Sequence, residues 1–137
     1  MNPILRNILA VIAGLLVGSM VNGALIAISG SIIAPPEGAD VTTMEGLKAS
    51  MHLFGPKHFL FPFLAHALGT LVGAWLAVKL AASRHMAMAL TAAGFFMLGG
   101  IINVAMLPSP LWFGILDIVG AYVPMGYLGY KLAAKKS

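Results

Sequence analysis

Cysteine is absent from this chain of 137 residues. Its absence excludes disulfides, thiolate-bound metal clusters, CxxC redox chemistry and covalent c-type haem attachment. Charge is nearly as scarce, with nine per cent of residues charged and only four of them acidic. A soluble globular chain has about a quarter of its residues charged, so this one lacks the polar side chains to cover a water-facing surface. What is present is apolar: 60% of residues are hydrophobic and the mean hydropathy is +0.96. Four long apolar stretches run over 4–29, 58–82, 86–107 and 111–132. Each has about the twenty residues needed to cross a ~30 Å hydrocarbon core. The expected fold is therefore an all-α integral membrane protein, a four-transmembrane-helix bundle forming one domain over 1–137. The first stretch is longer than the apolar core of a signal peptide and three more follow it, so it reads as a retained span.

The net charge of +4 would point to nucleic acid only if its distribution were ignored. With an even number of spans, both termini and the 83–85 turn share one side, which holds Arg6, Lys79, Arg84, Lys131, Lys135 and Lys136. The other side has only Lys48 and Lys57, offset by Glu37, Asp40 and Glu45. The positive-inside rule then puts both termini in the cytoplasm and the 30–57 loop outside, in a bacterial cytoplasmic membrane. The basic residues are topology determinants, and the partner they imply is the lipid bilayer rather than nucleic acid.

The 30–57 loop opens on Pro35–Pro36 and Gly38, which enforce an extended turn. Thr42 and Glu45 have the spacing of a capping box, with Thr42 accepting a hydrogen bond from the backbone three residues on. Met44, Leu47, Met51 and Phe54 recur at helical spacing, and Gly55–Pro56 supplies a stop. This predicts a short amphipathic helix, lying on the outer membrane surface or over the bundle. The LPSPLW turn is short enough to make the last two spans a close hairpin, with Trp112 as an interfacial anchor. Pro124, with Gly120, Gly126 and Gly129 around it, predicts a kink in the fourth span.

Four polar residues stand out inside the spans: Asn22, His66, Asn103 and Asp117. Positions three and four apart share a helix face, and each of the four shares its face with small residues. Gly14 and Gly18 lie below Asn22, Gly69 and Gly73 follow His66, Gly99 and Gly100 precede Asn103, and Gly120 follows Asp117. Small faces mark helix contacts in lipid, so these glycines are expected to pack helices and the four polar groups to face inward. Their depths form one layer, roughly 6–12 Å below the outer end of each span at a 1.5 Å rise per residue. A short internal match, GSMVN at 18–22 against GGIIN at 99–103, extends to HALG against DIVG. It sets His66 opposite Asp117 and describes two pseudo-symmetric helical hairpins, the parallel-repeat arrangement of some transporters.

An intramembrane acid is a functional residue by default, and histidine is the side chain whose charge changes nearest to neutral pH. Asn22, His66, Asn103 and Asp117 are thus the expected ligand- or proton-binding site. The two asparagines have a simpler role available as interhelical hydrogen bonds. His52, His58 and His85 read as interfacial or solvated, and Tyr122, Tyr127 and Tyr130 as packing or belt residues. The leading function is transport or permeation of a small solute or ion, proton-coupled, by a homo-oligomer, because four spans seldom enclose a whole pathway. The first alternative is a membrane-embedded enzyme using His66 and Asp117 as acid and base on a lipid-like substrate. The second is a non-catalytic subunit whose glycine faces receive another protein's helices. One histidine, one acid and two amides are a poor transition-metal set, and no metal or cofactor is expected.

Overall fold

The computed structural model describes residues 1–134; Lys135 and Lys136, counted above with the basic residues of one end, lie outside the described residues. The chain is 81% helical, with no strand among the described residues. Six α-helices follow in order: α1 (Pro3–Ile32), α2 (Met44–Ser50), α3 (Leu60–Leu80), α4 (His85–Met106), α5 (Leu111–Gly120) and α6 (Val123–Ala134). A 3-10 turn at Pro56–Phe59 leads into α3. Four helical segments are long and apolar enough to cross a membrane: Pro3–Ile32, Pro56–Leu80, His85–Met106 and Leu111–Ala134.

Packing is inverted relative to a water-soluble bundle. The large apolar side chains of α1, among them Ile4, Ile8, Leu16 and Met20, are exposed, while its buried residues are Asn7, Ala10, Val11, Gly14 and Gly18. Elsewhere the interior is mostly alanine and glycine, and the largest fully buried side chain among the described residues is Thr70. Such packing suits a lipid solvent, which would solvate a leucine as well as a protein core does and leave helix contact to close backbone approach rather than to hiding bulk. The crossing of α1 and α3 shows this directly. Gly14 faces Gly73 and Gly18 faces Gly69, backbone against backbone. The glycine faces that a non-catalytic subunit would offer to another protein's helices are therefore occupied by each other. Helix α3 is central, packing on α1, α4 and α6, whereas α1 and α4 meet more sparsely.

Polar residues fasten the end that carries the termini. The Asn7 amide oxygen accepts from the backbone N–H of Ala82 at 2.8 Å and of Ser83 at 3.2 Å, and its Nδ2 donates to Ser83 Oγ. Arg6 Nε donates to the last carbonyl of α3, Leu80 O, at 2.8 Å. Asn7 is only 8% exposed, so removing it unties α1 from the exposed 82–83 turn and empties a buried position. Asn7→Ala should lower stability by about 2 kcal/mol, read as a lower unfolding midpoint in detergent micelles.

At the other end the helix in the long loop forms, but its cap is displaced by one residue. Thr43, not Thr42, caps α2, accepting from Gly46 N at 2.9 Å. Thr42 is drawn instead to Asp40, donating from its hydroxyl at 2.6 Å and its backbone N–H at 3.0 Å. These bonds favour the ionised form and hold the Asp40 carboxyl below the usual carboxylate range. The capping box fails because a preceding aspartate offers Thr42 a closer acceptor. The loop packs over the bundle rather than away from it: Met51, Phe59 and Phe113 form a buried cluster joined by Leu47, Phe54, Phe63 and Leu107.

The fourth span is broken. Helix α5 ends at Gly120 and α6 starts at Val123. Pro124 has no N–H to give the Gly120 carbonyl, and its ring would crowd that oxygen in a continuous helix. Beyond the break α6 returns to close packing. Gly126 lies against Ala93 of α4, and a Cβ at Gly129 would stand 2.7 Å from Leu71 O of α3.

Candidate functional site

The break in the fourth span shapes the site. Asp117 lies one turn before it on α5, 2% exposed, and His66 reaches it from the first half of α3. His66 Nδ1 is 2.8 Å from Asp117 Oδ1 and 3.0 Å from Oδ2. With the carboxylate ionised and the imidazole neutral, the shared hydrogen resides on Nδ1 and Nε2 is an acceptor. Thr70 Oγ1 donates to His66 O at 2.7 Å, a back-bond that keeps its hydroxyl within α3.

A third group completes the arrangement. Tyr122 is 2% exposed, donates from its hydroxyl to Asp117 Oδ2 at 3.2 Å, and stacks on the His66 ring at 5.9 Å between centroids. Sequence spacing points instead to a packing or belt role, because five residues along a regular helix is about 140° away from Asp117's face. The interruption at 121–122 turns the tyrosine back toward the aspartate. A proline two residues further on is the one sequence feature that flags it. Asn7 is equally hard to find from sequence, since an asparagine near a helix start reads as an end residue rather than as a clasp on a turn 76 positions away.

The two asparagines behave differently from the His–Asp pair. Asn22 Oδ1 is buried with no hydrogen-bond partner among the described residues. Asn103 is exposed on α4. Both nevertheless line the two cavities that border His66. One cavity, about 280 Å³, lies beneath the loop, with Met51, Phe54, Phe59 and Phe113 in its wall and Asn22, His66, Asn103 and Asp117 among its lining residues. The other, about 290 Å³, lies between α1 and α4 and is bordered by Ser19, Gly69, Phe96 and Tyr122. A third and larger cavity, about 610 Å³, continues along the α1–α4 seam toward the termini. It is apolar, with Arg84 at its rim, and contains none of the four polar residues. Size alone would choose that cavity; the chemistry lies in the other two.

Of the glycines expected on packing faces, Gly14, Gly18, Gly69 and Gly73 form the α1–α3 crossing, and Gly100 lies against the Tyr122 ring. Gly120 is in ordinary contact with Phe63. Gly99 departs from the expectation: it is exposed, with nothing among the described residues for a Cβ to meet. It faces the second cavity because α4 is rotated so that Gly100, not Gly99, meets a neighbour. His58 Nδ1 accepts from Gly55 N at 2.8 Å and holds the turn before α3, while His85 Nε2 is 3.3 Å from Ala81 O. Among the described residues no three histidine or acidic side chains gather into a metal-ligand group.

Chemically, the pair can hold a proton on either side of one short contact, with Nε2 of an oriented imidazole presented to a cavity. Compared with known protein families, curated proteins and solved structures, the chain matches none.

Proposed function

We propose that this chain is an integral membrane protein that moves a small solute or ion in a proton-linked manner, acting as a homo-oligomer. One observation carries the reading: the His66–Asp117 contact stands where two cavities share a wall, beside a break in a membrane-length helix. Broken helices beside a polar site are a recurring feature of transporters, because the interruption is where one segment can move against the rest. The His–Asp pair supplies a site for the coupling proton. Four membrane-length segments seldom enclose a whole pathway, which calls for a second copy. The basic residues at the end bearing the termini favour a cytoplasmic location for that end.

The test is flux. With the protein in vesicles containing a pH-sensitive dye, wild type should dissipate an imposed proton gradient and Asp117→Asn should not, a loss of about tenfold or more in rate. Equal rates in wild type, Asp117→Asn and protein-free vesicles would overturn the proposal. One observation favours a second reading, a membrane-embedded acid–base enzyme. An imidazole oriented by a carboxylate, with its far nitrogen open to a cavity, is also how a general base is built. That reading predicts turnover of an apolar substrate in detergent, where no gradient exists.

A further inference from the structure

The two cavities that meet at His66 contain an unusual balance of polar atoms. Two acceptors stand out: Asn22 Oδ1, buried and unpartnered among the described residues, and His66 Nε2, free when Nδ1 donates to Asp117, while the Asn22 and Asn103 amides also bring N–H donors. The carboxylate adds one negative charge, and its donors are the imidazole and Tyr122. Among the described residues no lysine or arginine lines either cavity. The groups facing His66 can be named element by element. Helix α5 brings Asp117, the break brings Tyr122, α1 brings Asn22, α4 brings Asn103, and α2 contributes Met44 and Leu47, which do not titrate. With His66 neutral, the site carries the single negative charge of Asp117 and an acceptor in want of a donor. Burying an uncompensated charge is costly, so the site favours gaining one positive charge.

We propose that the solute is a lipophilic primary or secondary amine, bound as its ammonium ion in place of the proton on His66. This rests on the transport reading above. The ammonium N–H groups would donate to Asn22 Oδ1 and His66 Nε2, opposite in sign to the carboxylate behind the imidazole. Its apolar body would lie among Phe54, Phe59 and Phe113 beneath the loop, or against Phe95 and Phe96 in the α1–α4 seam. Aromatic faces also attract cations. The exchange balances: a proton on His66 Nε2 with no amine, or an ammonium with His66 neutral, each leaves the site uncharged. An anion is disfavoured, because it would add a second negative charge to that of Asp117 in a site with no lysine or arginine among its described lining. A neutral alcohol satisfies Asn22 but not the charge. Cavities of 280 and 290 Å³ are close to the lower limit of about 300 Å³ for small-molecule sites, which sets the solute's size.

Three probes of similar shape separate these cases: phenethylamine, phenethyl alcohol and hydrocinnamate. Binding is measured by calorimetry on the full chain in lipid nanodiscs, with empty nanodiscs subtracting partition. At about pH 8 the amine should bind saturably and at least about tenfold more tightly than the alcohol, with no binding of the carboxylate. Asn22→Ala should weaken the amine by about tenfold at the same pH, and Asn22→Asp, which restores an acceptor, should recover it. Equal binding of the carboxylate, or no saturable amine binding, would each overturn the proposal. The two readings fail separately. Asp117-dependent proton flux without amine binding leaves transport standing and removes the amine; saturable amine binding without flux does the reverse.

Discussion

His66→Leu should destabilise the protein by about 3 kcal/mol, while the double variant His66→Leu/Asp117→Leu should lie within about 1 kcal/mol of wild type. The asymmetry follows from burial. Asp117 is 2% exposed, and without the imidazole its remaining donor is the Tyr122 hydroxyl at 3.2 Å. A charge left alone in a low-dielectric interior costs several kcal/mol, whereas replacing both partners by apolar side chains removes the charge together with its counterpart. Denaturant titration in mixed micelles, followed by far-UV circular dichroism, gives the three midpoints. With Asp117→Leu as the second single variant, the quantity that decides is the coupling energy from the cycle. A cycle in which the single effects add would mean that the two side chains do not stabilise each other, and the site would lose its basis.

The second large effect belongs to the α1–α3 crossing. Gly73→Val should cost about 3 kcal/mol or more, at the upper end of what overpacking does. A Cβ at Gly73 would stand 2.8 Å from Gly14 O and 2.8 Å from Phe96 Cε2, and the first of these obstacles is main chain that cannot turn aside. Relief therefore requires the helices to separate, which also opens the Gly18–Gly69 contact further along. Gly23→Ala and Gly99→Ala provide the comparison. Both glycines are exposed, with nothing among the described residues within 4 Å of where the added methyl group would stand. Both changes should leave stability unchanged or raise it by up to about 1 kcal/mol, since alanine replaces glycine inside a helix. Thermal unfolding in micelles ranks the three. A Gly73→Val midpoint equal to that of Gly99→Ala would rule out a close backbone crossing.

The contrast between Gly73 and Gly99 also marks how far the sequence can be read. Spacing assigns both to packing faces, because both stand within a helical turn or two of a polar residue in an apolar span. It identifies a face but not which residue of that face touches a neighbour. That depends on the rotation of the helix about its axis, and one position, about 100°, separates the packed Gly100 from the exposed Gly99. The same limit governs the asparagines. Spacing turns Asn22 and Asn103 inward alike, yet one has a buried amide oxygen and the other is exposed. The loop helix gives the complementary case: its apolar spacing is legible and its cap is not, because Thr42 and Thr43 compete for the cap one residue apart and Asp40 decides between them.

The helical class, the four membrane-length segments, the kink near Pro124 and the short list of polar residues out of place are all legible in the chain alone. They follow from composition and local spacing, since a hydrocarbon solvent demands long apolar helices whatever their partners. Which of those residues meet is a matter of packing. His66 and Asp117 are 51 positions apart, and their 2.8 Å contact depends on the depth and rotation of two helices fixed by glycines elsewhere in the bundle. Tyr122 joins them only because the helix breaks between it and Asp117. Local sequence sets what a helix offers; packing against α3 sets where the offer points.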